Sequence, residues 1–274
     1  MQNNNKLAVV TGGTTGIGRG IALHLARAGW DVAANNLNED SDAQRLVDDI
    51  EQLGRKSLFV ACDVGDSVAV DHFYRQVSAH FGRAPSLLVN NAGIQTWAPL
   101  LELAEDDWDR VIRTNLKGTF LNTQRAARLM AEAGVAGSIV NIGSGCNKLA
   151  FPNLVDYAAS KGGIEMLTKS AAVELGEYGI RVNCVAPGGV LIERTEREAP
   201  DYAASWSAIT PLGRVGIVED IANAVLFLAE PQSSFVSGQT LWIDGAAFSK
   251  ANWPYPTPQD VSVSGSTARA VAAE

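Results

Sequence analysis

The chain has 274 residues, 46% of them hydrophobic and 19% charged, with a formal net charge of −8. That length buries one sizeable core and is slightly long for a single open α/β domain. The acidic balance, with no Lys/Arg run, excludes the basic face that nucleic acid or an anionic membrane surface requires. No apolar run reaches the ~18–20 residues of a membrane span, and no signal-peptide core follows the polar Met1–Lys6, so a cytoplasmic location is the expectation. Cys62, Cys146 and Cys184 are far apart, contain no C-x-x-C pair and form no ligand set with His24, His72 and His80. Neither a disulfide nor a metal site is expected.

In chain order, short apolar runs alternate with longer stretches of helical spacing. Strands are predicted at 7–10, 32–34, 57–60, 87–89, 138–142, 180–185 and 240–243. Helices are predicted at 17–28, 41–53, 68–81, 108–133, 155–178 and 218–228. Most of the strands read as continuously apolar, as strands buried on both faces do. Strict alternation implies parallel pairing through right-handed crossovers. The expected fold is therefore α/β, a single doubly wound Rossmann-type domain with a seven-stranded parallel sheet over residues 1–250.

Thr11-Gly12-Gly13-Thr14-Thr15-Gly16-Ile17-Gly18 joins the first strand to the first helix. Gly12 permits a tight turn, Gly16 lets backbone approach a pyrophosphate, and Gly18 lets helix and strand pack closely. The helix N-terminus then offers free N–H groups to phosphate. A glycine-rich turn without a ligand is the alternative, disfavoured by the position directly after the strand. Asp63-Val64 follows the third strand, where an Asp more often caps a helix. Asn90-Asn91-Ala92-Gly93 ends the fourth strand, and in such folds ligands bind at carboxyl ends of strands.

Ser144 follows the fifth strand, and Tyr157-Ala158-Ala159-Ser160-Lys161 opens the next helix. Spacing of four puts Tyr157 and Lys161 on one helix face. An ammonium beside a phenol lowers its pKa and makes it a better acid–base group. Taken alone, such a pair reads better as an exposed Tyr and Lys on a solvated helix face. Segment 188–211 is long and polar, a loop with short helices over the ligand edge. Beyond Asp244, residues 251–274 form an extension. Trp253–Pro258 is held extended by prolines, and Val261–Glu274 is small and polar enough for partial disorder.

Together, Thr11–Gly18, Asp63-Val64, Asn90–Gly93, Asn115, Ser144, Tyr157/Lys161 and Pro187-Gly188 resemble the short-chain dehydrogenase/reductase family, over about Lys6 to Gly245. The resemblance implies an NAD(P)-dependent oxidoreductase interconverting a secondary alcohol and a carbonyl. It implies Tyr157 as acid/base, Ser144 on the substrate oxygen, and Lys161 on the nicotinamide ribose while depressing Tyr157. Asn115 would interrupt helix bonding and hold a water that feeds protons to Lys161. Cofactor contacts would come from Gly12, Thr14, Thr15, Gly16, Ile17, Asn36, Asp63, Val64, Asn91, Ala92, Gly93, Tyr157, Lys161, Pro187, Gly188 and Val190.

Asn36 stands where NAD-preferring relatives carry Asp, and Thr15 where NADP-preferring ones often carry a basic residue. No Arg is expected nearby to welcome a 2′-phosphate. Glu39, Asp40 and Asp42 disfavour phosphate, so the expectation leans to NAD with NADP not excluded. Where many relatives carry Thr after Pro-Gly-x-Val-x, this chain has Ile192, with Thr195 a candidate substitute. Gln95, Ser144, Asn147, Tyr157, Glu193 and Arg194 are the substrate candidates, with Thr96, Cys146 and Lys148 also near, and Trp97, Phe151, Trp206 and Trp253 as a frame. They suit a small polar substrate such as a sugar, sugar acid or polyol. A 3-oxoacyl thioester is the alternative, and a nucleotide-sensing protein without catalysis is disfavoured because Tyr157 and Lys161 are both present. Relatives are commonly homotetramers that pair the helices at 108–133 and 155–178.

Overall fold

The structure, a computed structural model, describes residues 6–251. The expected Trp253–Pro258 extension and the Val261–Glu274 tail lie outside the described residues. Seven parallel strands form one sheet in the order β3-β2-β1-β4-β5-β6-β7. They are β1 (Leu7–Thr11), β2 (Asp31–Asn36), β3 (Ser57–Ala61), β4 (Leu87–Asn90), β5 (Ser138–Ile142), β6 (Arg181–Pro187) and β7 (Thr240–Ile243).

Side-chain alternation in β1 explains its unbroken apolar sequence. Ala8 and Val10 enter a core with Ile21, Leu25, Leu46, Ile221 and Val225. Leu7 and Val9 enter the opposite one with Phe73, Val77, Leu121 and Met130. Each face is roofed by helices: α1 (Gly16–Arg27), α2 (Ser41–Gln52) and α9 (Val218–Ala229) on the first, and α3 (Ser67–Phe81) and α5 (Gly118–Glu132) on the second. Caps fix where α2 and α3 begin. Asp40 accepts from Asp42 and Ala43 N–H at 3.0 and 3.1 Å, and Asp66 from Val68 and Ala69 at 2.7 and 3.0 Å.

The helix predicted at 108–133 differs from expectation. It is α4 (Glu105–Val111), a π-helical segment (Ile112–Lys117) and then α5. Asn115 sits in the widened turn at 0% exposure. Its Oδ1 accepts from Ile94 N–H at 2.8 Å, and its Nδ2 donates to Ile94 C=O at 2.9 Å and Ser160 Oγ at 3.0 Å. This local π-bulge seats a polar side chain where a regular helix offers none. α6 (Val155–Leu175) follows β5. Segment 188–211 holds α7 (Glu193–Glu198) and α8 (Tyr202–Ile209), the short helices expected there.

Candidate active site

Strand order reverses direction between β1 and β4, and a cleft of about 1550 Å³ opens over their carboxyl ends. This exceeds the about 300–1,000 Å³ of a drug-sized pocket, as a dinucleotide plus substrate requires. The glycine loop forms one end. Gly12 (φ +61°) and Gly16 (φ +50°) adopt left-handed backbone, and a Cβ on Gly12 would lie 3.0 Å from Ala92 Cα. Neighbouring strands pin the loop. Gly12 N–H donates to Asn35 Oδ1 at 3.2 Å, while Asn91 Nδ2 donates to the Thr11 and Gly12 carbonyls at 3.0 and 3.1 Å. Thr11 Oγ1 accepts the Asn91 and Ala92 N–H groups, both at 3.0 Å.

Thr15 caps α1 without a side-chain bond, and the first turn of α1 carries no acidic residue. Its N–H groups and dipole stay available to an anion. The donor set therefore fits a pyrophosphate. Thr14, Thr15, Gly16, Ile17, Asn36, Asp63, Val64, Asn91, Ala92 and Gly93 line this part of the cleft, as do Pro187, Gly188 and Val190 further along. Asp63 already holds Gly65 N–H at 2.9 Å and pairs with Arg113, so the helix cap beyond β3 is Asp66 instead.

The other end of the cleft carries Ser144 and Tyr157. Ser144 begins a 3-10 turn, its Oγ accepting Cys146 N–H at 3.2 Å. Tyr157 occupies the first turn of α6. Burial pushes its phenol up to about 12; hydrogen bonding with Ser144 opposes this, Cys146 adds to it, and the Arg194 guanidinium opposes it. Lys161 lies buried behind the ring, its Nζ donating to Ile142 C=O at 2.8 Å and standing 5.4 Å from the Tyr157 ring centroid. Burial lowers Lys161 to about 8, against the partial opposition of Cys184 and Cys146. The expected depression of Tyr157 by Lys161 is thus corrected: burial dominates the phenol, and the cation that lowers it is Arg194.

Several expected substrate contacts also change. Asn147 turns inward, its Oδ1 accepting Ser144 N–H at 3.0 Å and its Nδ2 reaching Cys184 Sγ at 3.6 Å. It shapes the Ser144 turn and does not line the cleft. Lys148 lies over the Trp242 ring at 5.5 Å. Thr96 is bonded to the Asp156 carboxylate, which also accepts Tyr157 N–H at 2.7 Å. Thr195 Oγ1 accepts Ile192 N–H at 3.0 Å at the start of α7. Gln95, Glu193 and Arg194 do face the cleft.

Its walls also include aromatics that sequence reasoning did not single out. Phe248 packs edge-to-face on Phe151 and Trp206, with centroids 5.8 and 6.2 Å away, and Tyr202 tilts against Trp206. Gly145 and Gly189 make room for them. A Cβ at Gly145 would fall 2.3 Å from Phe248, and one at Gly189 2.2 Å from Trp206. Phe248 follows β7 at its carboxyl end, and that position was the available signal. Arg19 and Arg45 also line the cleft beside Asn36. The expectation of no arginine near the second strand's end is therefore corrected: both reach it from helices rather than from the strand.

A family model described as Enoyl-(Acyl carrier protein) reductase matches residues 12–246. A (3R)-3-hydroxyacyl-CoA dehydrogenase from Rattus norvegicus is 41% identical over 249 residues, covering 88% of this chain and 96% of the relative. A 3-oxoacyl-[acyl-carrier-protein] reductase FabG from Staphylococcus aureus is 38% identical over 243 residues, covering 89% and 98%. Among solved structures, a putative gluconate dehydrogenase from Agrobacterium tumefaciens superposes with TM-score 0.85 at 35% identity, covering 90% of this chain and 97% of its own. A gluconate 5-dehydrogenase from Burkholderia cenocepacia, solved with NADP and tartrate, gives TM-score 0.84 at 37% identity, covering 90% and 96%. The chain belongs to the short-chain dehydrogenase/reductase family and is an NAD(P)-dependent oxidoreductase that interconverts an alcohol and a carbonyl.

Proposed function

We propose that Tyr157 is the acid–base group of this reaction and that Ser144 holds the substrate oxygen. The observation that carries this reading is the meeting of the two hydroxyls on one cleft wall, with the glycine loop at the other end. A nicotinamide dinucleotide, when bound, supplies or accepts the hydride. In carbonyl reduction Tyr157 donates its phenolic proton to the substrate oxygen while Ser144 Oγ–H steadies the developing charge. In alcohol oxidation Tyr157 accepts that proton. Lys161, whose Nζ now donates to Ile142 C=O, would hold the ribose hydroxyls of the bound cofactor. Asn115 is a positioning residue, fixing Ile94 beside Gln95 and fixing Ser160, which donates to Tyr157 C=O at 2.7 Å.

NAD and NADP are both proposed as cofactors. Uncharged Asn36 neither repels nor grips a 2′-phosphate, and the NADP found with the gluconate 5-dehydrogenase supports NADP. The substrate is a small hydroxylated or carboxylated molecule: a sugar, sugar acid or polyol. Gln95, Glu193 and Arg194 offer polar contacts at the cleft, and interlocked Phe151, Phe248 and Trp206 limit length. The two gluconate dehydrogenase structures support this class. A 3-oxoacyl thioester is the second reading, favoured by the same apolar rings and by the hydroxyacyl-CoA dehydrogenase and FabG relatives.

Sugars, sugar acids, polyols and 3-oxoacyl thioesters assayed with each cofactor decide between them. Turnover confined to the first three classes is expected, and turnover confined to thioesters overturns the substrate reading. The assembly is proposed to be a cytoplasmic homotetramer. Phe120 on α5 and Met166 and Val173 on α6 expose apolar surface of the kind that subunit contacts cover.

A further inference from the structure

We infer that Asp156 is a positioning residue: its carboxylate joins the backbone of Tyr157 to Thr96. It thereby fixes the distance between the acid–base group and the cleft wall that carries Gln95 and Trp97. The inference rests on the reading of Tyr157 given above. Asp156 is the second residue of α6, is 1% exposed, and makes no ion pair among the described residues. A buried carboxylate without a cation is costly unless its oxygens are hydrogen-bonded. Both oxygens are used here. Oδ1 accepts Tyr157 N–H at 2.7 Å, and Oδ2 accepts the Thr96 hydroxyl. An acidic side chain in the first turn suits any helix, which accounts for the first bond. The second bond spans 60 residues of chain and needs another reason.

That reason lies in what Thr96 carries. It belongs to the segment after β4 that forms one wall of the cleft. Gln95 and Trp97 line the cleft, whereas Thr96 between them and Ala98 after them do not. Those two bond instead to the turn leading into α6: Thr96 to Asp156, and Ala98 N–H to Asn153 C=O at 3.1 Å. Asn153 holds left-handed backbone at φ +62°, which Asn tolerates better than most residues. Nearer β4, Asn115 holds Ile94 and also bonds Ser160 of α6. The wall is thus clasped to α6 and its leading turn along its length. Of these bonds, Thr96–Asp156 is the one that ends on the residue next to Tyr157.

The consequence is geometric. Gln95 and Trp97 flank Thr96, so a substrate resting on them is set against the phenol through one carboxylate. A displacement of about 1 Å between reacting groups costs up to about 10²-fold in rate. Loss of the clasp lets the wall drift relative to Tyr157. It leaves the glycine loop in place, because Asn35, Asn91 and Thr11 hold that loop without Asp156 or Thr96. Turnover and cofactor binding therefore separate.

Steady-state kinetics of the full chain on the best substrate of the panel, with fluorescence titration of NADH and NADPH, tests the clasp. Thr96→Val keeps the shape of the side chain and deletes the donor. Its kcat/KM is expected to fall at least about tenfold, mostly in kcat, with affinity for both cofactors within about twofold. Thr96→Ser retains the hydroxyl and should hold kcat/KM within about threefold of the unmodified chain. Asp156→Ala should lose a factor similar to Thr96→Val, and adding Thr96→Val to it should cost less than about twofold more, as for two ends of one bond. If Asp156→Ala does not fold, the two Thr96 variants decide by themselves. Unchanged kcat/KM in Thr96→Val, a fall carried by KM alone, an equal loss of cofactor affinity, or the same fall in Thr96→Ser overturns the clasp while leaving Tyr157 in its role. Retained turnover in Tyr157→Phe overturns both.

Discussion

At the scale of single residues, Tyr157 is pulled in two directions. Burial raises its phenol to about 12, while Ser144 and the Arg194 guanidinium draw it back. A proton donor with so high a pKa is fully protonated at neutral pH, so carbonyl reduction begins from the form already present. Alcohol oxidation needs the phenolate, whose fraction grows about tenfold per pH unit below the pKa. Oxidation should therefore climb through the alkaline range. Arg194→Gln removes a charge that favours the phenolate, so its alkaline rise should move to higher pH. An unmoved profile for this variant would show that Arg194 does not act on Tyr157. Ser144 and Tyr157 were legible in sequence because their order and spacing carry the family pattern. Phe248, Arg19 and Arg45 were not, since each reaches the cleft through packing between elements that no local pattern encodes.

Among the elements, the seven strands were legible because both faces of the sheet are roofed, which leaves continuous apolar runs in β1 and β4. The π-segment at Ile112–Lys117 was not legible in the spacing, although the family resemblance implied that Asn115 interrupts helix bonding there. Its cause is the pairing of Asn115 with Ile94 and Ser160, a contact between three separate parts of the chain. Spacing alone predicts an uninterrupted helix there. Asn115→Ala deprives the half-buried Ile94 N–H and C=O of these partners, at about 1–3 kcal/mol for each group left unsatisfied. The expected loss is about 2–4 kcal/mol in urea unfolding, with a fall in turnover because Gln95 and Tyr157 lose their common support. A loss below about 1 kcal/mol would mean that these bonds are replaced on mutation.

Over the whole molecule, one topological feature organises the chemistry. Because the strand order turns at β1/β4, the glycine loop, the β4 end and the Ser144–Tyr157 wall open into a single cleft. The exposed apolar side chains Phe120, Met166 and Val173 of α5 and α6 do not line it, so the proposed tetramer would form through other surfaces than the cleft. Light scattering is expected to give four times the 29.0 kDa chain mass, and a monomer mass would remove the tetramer. The central claim is that Tyr157 carries the proton while the rest of the cleft holds the cofactor. Its most direct test is Tyr157→Phe, assayed for turnover on the best substrate of the panel and titrated with NADH and NADPH. The account requires turnover to fall by at least about 10²–10⁴-fold, with cofactor affinity nearly unchanged. Retained turnover in that variant would contradict it.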